Sequence, residues 1–353
     1  IEDIAEQAEL AFALTDHGNM FGALKFYKAM KKAGKKPILG FEAYTSSLDY
    51  TYRTKDGDSL QSIARNNNVS WEDVIRSNPD IRLKDLHFEK NDIEKVFKLI
   101  TKPEEIEVEG NQTIIIKKAN ARNHLVLIAL NETGLKNLFK LVSIGQQKYT
   151  RGRPQIDWED LEKYNEGLVV LTACLAGELP RAILNNRMDI AKNVIEKLIE
   201  IFGKENVYLE IQRHNLPEEK ILNPEILHLG KMYDLKAVET VDSHYTKPED
   251  SEAHEASLCI GTKTKLNDPN RWVFPGDGYH IFSSSEMEEL FYDLPELLDN
   301  TLDLAERIQC EMSLGKVHMP KFPVPEGFED QNEYFRFLVY KGFEYRFKGK
   351  PQF

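Results

Sequence analysis

TDHGNMFGALKFYKAMKKAGKKPILGFEAY, residues 15–44, is the stretch that decides the fold. It opens at the end of a short apolar run, AFALT (11–15), and crosses a helix-period segment (20–33). It finishes in a second strand-like run, PILGFEAY (37–44). Strand, helix and strand in that order make a βαβ unit, the repeating piece of parallel sheets and barrels. Asp16 and His17 close the first run and Glu42 lies near the end of the second. Carboxyl ends of strands are where α/β folds hold their functional groups.

The same alternation continues outward. Further strand-like runs are 124–130, 168–173, 207–212 and 237–241, and helix-period segments are 135–147, 188–202 and 217–232. Six runs are visible in all, so closure into a barrel needs at least one more. Cys174 follows LVVLTA directly, and AVETV ends in Asp242-x-His244. Four strand ends thus deliver His, Glu, Cys and an Asp/His pair to one face. Mixed N, O and S donors suit zinc first, with Mn²⁺ or Fe²⁺ as alternatives. At its amino end, helix-like IEDIAEQA meets AFALT with only Glu9 and Leu10 between them. That is scarcely room for a helix-to-strand reversal, and residues are expected to be missing near positions 8–11.

Composition bounds the function classes. The chain has 353 residues, 41% hydrophobic and 29% charged, which fits two to three domains or one large α/β barrel with additions. Lys plus Arg is 46 against 58 for Asp plus Glu, a net charge of −12. That balance opposes a broad basic nucleic-acid face and permits a carboxylate-rich metal site. Three cysteines without a CxxC argue for a reducing, cytoplasmic compartment. No apolar run reaches membrane-span length, and the acidic first residues do not read as a signal peptide.

One region breaks the pattern. Between residues 50 and 122 the chain turns polar and Asn-rich. Within it, YRTKDGDSLQSIARNNNVSWEDVIRSNPDI (52–81) resembles a LysM module through Gly57-Asp58-Ser59-Leu60, Ile63-Ala64, Val69-Ser70 and Asn78-Pro79. TIIIK (113–117) could complete its small sheet. The resemblance implies binding of acetylated glucosamine chains; the plainer alternative is a compact insert that borrows the shape.

The main body carries a more extensive resemblance. Residues 15–44, HLVLIALNETGLKNL (124–138), EGLVVLTACLAGEL (166–179) and VDSHYTKPEDSEAHE (241–255) resemble the PHP (polymerase and histidinol phosphatase) domain of bacterial replicative DNA polymerase III α subunits. GYHIFSSSEMEELFYDLPELLDNTLDLAERI (278–308) resembles the segment after PHP in the same polymerases. The resemblance implies an α/β fold, a distorted (β/α)7 TIM-like barrel. The first part of the barrel would be 1–50, the LysM-like insert 51–121, the second part 122–275 and a helical extension 276–353. Aromatic-rich 331–348 suggests docking against a further surface.

By the same resemblance, nine ligands bind up to three divalent ions. His17 matches the His of the TDHG motif, Glu42 the bridging carboxylate and His124 the His of the HLxLLA motif. Cys174 matches the His-or-Cys position, and Asp242 and His244 the last Asp-x-His pair. The remaining three belong to an amino-terminal HxH motif and a nearby acid that this chain does not include. His124 opens its run, whereas a ligand from a parallel strand belongs at the carboxyl end. His214 follows a strand where a ligand is expected, yet the family pattern does not require it, which makes it a candidate for supporting a ligand from behind or for touching substrate. His87, His228, His254, His280 and His318 show no ligand spacing.

A multinuclear site of this kind suits phosphoester hydrolysis. The resemblance implies 3′–5′ exonuclease or phosphatase activity beside a nucleotidyltransferase whose palm aspartates are not in this chain, so no DNA synthesis is expected. It also implies DNA, other replisome subunits and a proofreading exonuclease subunit as partners, and no membrane. The alternatives are a free-standing phosphatase of the histidinol-phosphate type and a noncatalytic docking domain.

Overall fold

The computed structural model describes residues 1–67, 69–84, 86, 100–117, 122–148, 153–317 and 319–350. These divide into two compact units, Ile1–Glu311 and Met312–Phe353. Among the described residues no helix is long and apolar enough to cross a membrane. His87 and His318 lie outside the described residues.

Among the described residues eight strands form: β1 (Ala11–Leu14), β2 (Lys36–Thr45), β3 (Tyr50–Arg53), β4 (Thr113–Ile116), β5 (Asn123–Ala129), β6 (Leu168–Leu171), β7 (Val207–Ile211) and β8 (Lys236–Glu239). Six make the main sheet in the order β1-β2-β5-β6-β7-β8. Here the expectation of a parallel seven-stranded barrel is corrected. Among the described residues β1 and β8 are the two ends of a six-stranded sheet. β5 also runs against its neighbours, antiparallel to both β2 and β6, while β1–β2, β6–β7 and β7–β8 are parallel. The physical reason lies in the connections. A parallel neighbour needs a crossover that returns the chain to the starting edge, but β2 and β5 are joined at the edge where β2 ends. Thr45 pairs directly with Asn123, so residues 46–122 are one long excursion from the tip of a hairpin.

Amphipathic helices cover the sheet. Helix Ala23–Lys32 buries Ala23, Phe26, Tyr27 and Met30, the i, i+3, i+4, i+7 stripe of one helix face. Phe26 and Met30 are fully buried, and each such burial contributes roughly 1.5–3 kcal/mol. Helix Glu132–Gln147 does the same with Leu135, Leu138 and Leu141, and helix Met188–Phe202 with Ile190, Val194 and Leu198. At the amino-terminal connection, where residues are expected to be missing, residues 8–10 join the helix to β1. Helix Glu2–Gln7 stops at Ala8, whose ψ of 134° turns the chain extended at once. Leu10 already accepts a hydrogen bond from Lys36 N–H, so three residues suffice.

Within the excursion, β3 and β4 pair antiparallel, and helices Leu60–Asn67 and Trp71–Ser77 accompany them. Ser70 caps the second helix by accepting from the Asp73 N–H at 3.1 Å. Leu60, Ile63, Ile75, Leu83 and Ile116 are buried there as a small core. In the second unit, helix Gln331–Phe347 buries none of its residues and leaves Phe335, Tyr340 and Tyr345 largely exposed.

Candidate metal centre

Strand direction gathers the chemistry at one edge. The carboxyl ends of β1, β2, β6, β7 and β8 lie together, and the reversed β5 brings its amino end to the same edge. His124 therefore belongs there because it begins its strand. It stands opposite Tyr44 in the β2–β5 register.

Backbone hydrogen bonds lock the ligand-bearing turns. The Gly18 N–H donates to the Glu42 carbonyl at 2.7 Å, and the Glu42 N–H donates to the Asp16 carbonyl at 3.0 Å. Gly18 takes φ 65°, and a Cβ there would fall 2.5 Å from Pro154 Cγ. Only glycine closes this turn without a shift. On the other side the His124 N–H donates to the Ala176 carbonyl at 3.1 Å, joining β5 to the Cys174 turn.

His17, Glu42 and His124 each offer a ligand atom, all within 4.8 Å of one another. Glu42 is 4% exposed. Its Oε1 accepts from His124 Nδ1 at 2.8 Å and its Oε2 from His17 Nδ1. Burial alone would raise the Glu42 pKa, but the hydrogen bonds from His124 and His17 overcome it and bring the value down to about 2. The bond to Glu42 in turn raises the His17 pKa. Cys174 Sγ lies 3.5 Å from His124 Nδ1 and 4.0 Å from Glu42 Oε1. His244 Nε2 lies 3.3 Å from His17 Nε2, and its Nδ1 is 2.5 Å from the Asp242 carbonyl. Burial, then the Glu42 charge, pushes Asp242 up to about 6. Burial, with the Asp242 and Glu42 charges, also raises the Cys174 thiol. Five of the six sequence candidates are thus linked in a chain of contacts, Cys174 through His124 and Glu42 and His244 through His17, and Asp242 adjoins them through His244.

The donor set fits a divalent cation. An ionised carboxylate and a carbonyl can only accept, so the Nδ1 atoms of His17 and His244 must both donate. In their neutral forms these rings would turn two Nε2 lone pairs toward each other at 3.3 Å. Such a pair calls for a positive centre, a proton or a metal, and holding a ligand histidine by its other nitrogen is how metal sites orient their rings. His17, Glu42 and His124 could hold a divalent ion between them, and Cys174, Asp242 and His244 lie beside this cluster.

His214 takes another place. Its Nδ1 is 2.9 Å from the Asp277 carbonyl, its ring stacks on Tyr279 at 4.1 Å and 9°, and its buried Nε2 has no hydrogen-bond partner among the described residues. Tyr279 also packs against His244, with centroids 5.9 Å apart.

One residue escaped sequence reasoning. Glu210, buried in mid-β7, accepts from the Ala173 N–H at 2.9 Å, from Thr240 Oγ1 at 2.5 Å and from Gln212 Nε2 at 3.1 Å. It braces the turns before Cys174 and Asp242. Burial drives its pKa up to about 7, with the Thr240 bond opposing. The available signal was a lone acid inside an apolar strand.

Comparison with known proteins places these features in context. The family model described as "PHP domain" matches residues 1–214. The DNA polymerase III subunit alpha of Borreliella burgdorferi is 35% identical over 353 residues, covering 99% of this chain and 26% of that protein. The subunit from Thermus aquaticus is 31% identical over 338 residues, covering 94% and 23%. That from Mycobacterium tuberculosis H37Rv is 33% identical over 351 residues, covering 97% and 25%. The chain spans about a quarter of the length of these relatives.

Proposed function

The chain belongs to the PHP domain family, and from that premise we propose that it is the PHP region of a replicative DNA polymerase α subunit, with a metal-dependent phosphoesterase site that acts on DNA. One observation carries the reading: buried Glu42 held between His17 and His124, with donor atoms of all three within 4.8 Å. His17, Glu42, His124, Cys174, Asp242 and His244 are the proposed ligands, zinc the first choice of ion and Mn²⁺ or Fe²⁺ the alternatives.

Bound divalent ions would supply Lewis-acid activation of water and neutralise charge on a phosphoryl oxygen. The residues themselves do the rest. Glu42 supplies a fixed negative charge shared between imidazoles, Glu210 holds the Cys174 turn in place, and the Nδ1 contacts of His17 and His244 orient their rings.

Similarity along 94–99% of the chain, well past residue 214, supports a polymerase subunit over a free-standing phosphatase. DNA, other replisome subunits and a proofreading subunit are the partners this reading brings, in a cytoplasmic setting. The division at 1–50, 51–121, 122–275 and 276–353 remains part of the proposal, as does a LysM-like character for the lobe.

The test incubates the metal-stripped chain with Zn²⁺ or Mn²⁺ and a 3′-labelled single strand. Metal-dependent release of nucleotides, lost in Glu42→Gln, is the expected result. If neither ion restores release, in this chain or in one extended by an amino-terminal HxH segment, the hydrolytic reading is wrong.

A further inference from the structure

A row of rings leaves the metal centre on its β8 side, and the hydrolytic reading makes no use of it. His17 and His244 have ring centroids 5.4 Å apart. His244 meets Phe274 edge-on at 4.4 Å and 60°, and Phe274 meets Trp272 at 4.8 Å and 69°. Tyr279 and His254 also meet Phe274 edge-on, at 4.8 and 5.0 Å. The row ends in the open: Trp272 is 52% exposed. A tryptophan held by its neighbours yet half in water offers a large apolar face at little ordering cost to whatever stacks on it.

The segment that carries Trp272 and Phe274 differs in charge from the whole chain. The chain carries −12 overall, whereas GTKTKLNDPNRWVFP (261–275) carries Lys263, Lys265 and Arg271 against the single acid Asp268. Arg271 is engaged with Glu255 at 2.6 Å and with the Leu266 carbonyl at 2.9 Å. Lys263 and Lys265 are exposed. Flat rings on a segment that also carries exposed cations are a combination used to bind single-stranded nucleic acid: cations take the phosphates, and rings take the bases without regard to sequence.

We propose that Trp272 and Phe274 form a stacking subsite for a base of a single DNA strand whose phosphodiester lies at the His17–Glu42–His124 cluster, with Lys263 and Lys265 against its backbone. This rests on the reading that the cluster acts on DNA, and it adds the residues that would hold a base of the strand. Duplex DNA hides its base faces, so the subsite selects single strands or frayed ends.

The experiment titrates the Mn²⁺-supplemented chain with pentathymidylate and with an abasic pentamer of the same backbone. Tryptophan fluorescence reports binding, and hydrolysis is followed separately. Pentathymidylate should bind at least about fivefold more tightly than the abasic strand, the lower end of what one stacked base contributes, and should quench fluorescence. Trp272→Leu should erase that ratio and the quench, whereas Trp272→Tyr should keep the ratio. Equal affinity for the two strands, or a ratio that survives Trp272→Leu, overturns the subsite even if both strands are cut. A ratio that behaves as expected while neither strand is cut supports the subsite and removes the hydrolytic reading instead.

Discussion

Tyr44 and His124 face each other across the antiparallel β2–β5 pair, with rings edge to face and centroids 5.1 Å apart. Glu42 lies two residues back along β2, so its carboxylate and the His124 imidazole sit on the same face of the sheet and meet at 2.8 Å. Glu42→Gln keeps the shape but removes the charge that both imidazoles share. Zinc affinity, read by competition with a chromogenic chelator, should fall at least about tenfold, since even the outer partners of ligands are worth 10–100-fold. Unchanged affinity would remove Glu42 from the site.

Cys174 makes affinity depend on pH. Burial, then the Asp242 and Glu42 charges, holds the thiol protonated well above its usual range. A metal takes the thiolate, so binding must expel that proton and affinity should climb as pH rises. Cys174→His offers a neutral donor instead. Between about pH 7 and 9 its log affinity should rise less steeply, by about one proton per site. Matching slopes in the two proteins would mean that Cys174 is not a ligand.

Glu239 sets a second pH dependence, in stability. It is 7% exposed, and its carboxylate accepts from Thr301 Oγ1 at 2.6 Å. Burial pushes its pKa from 4.5 up to about 7, with the Thr301 bond opposing. Between those values the folded chain holds a proton that the unfolded chain has released, so stability is full below pH 4.5 and falls as pH rises toward 7. Glu239→Gln should resist urea better than the parent at pH 8 and match it near pH 4. Glu210 shifts in the same direction, so the parent's decline should become shallower rather than vanish. Parallel pH profiles for the two proteins would contradict this.

The hairpin geometry predicts that the lobe can be removed. Thr45 and Asn123 are already paired, so replacing residues 51–121 with a short glycine-containing turn shortens a connection whose length affects stability only weakly. Among the described residues, the contacts of Arg187 Nη1 with Asn67 Oδ1 at 3.3 Å and of Lys117 Nζ with Asp49 Oδ2 at 3.0 Å go with it. A single cooperative thermal transition should remain. A broad, non-cooperative melt would show that the lobe is part of the folding unit.

Much of the fold could be read from the chain because hydrophobic period reports element type directly. The Ile190–Val194–Leu198 stripe and the Ser70 cap are local signals, and both lie where expected. Strand direction is different. HLVLIAL reads the same apolar way in either direction, and only its pairing with β2 shows that His124 reaches the site by starting its strand. Glu210 was visible as an acid in a strand, but its role depends on Ala173 and Thr240, 37 and 30 positions away. The ring row is equally non-local: Phe274 meets His244 through folding alone. No pattern in one sequence carries such contacts.

Ala173 and Asp242 have φ values of 62° and 44°, in left-handed backbone that side chains other than glycine, and to a lesser degree Asn and Asp, enter reluctantly. For Ala173 the penalty is about 1–2 kcal/mol. Both residues stand where the chain swings away from its strands beside the cluster, one just before Cys174 and the other two residues before His244. Folding tolerates that bend for the sake of the edge it shapes. A descendant lineage that stopped using these side chains would be released from that obligation, and drift would find the relief quickly: glycine at position 173, and glycine or asparagine at position 242. Those substitutions would mark a retired centre even in a chain whose histidines had not yet decayed.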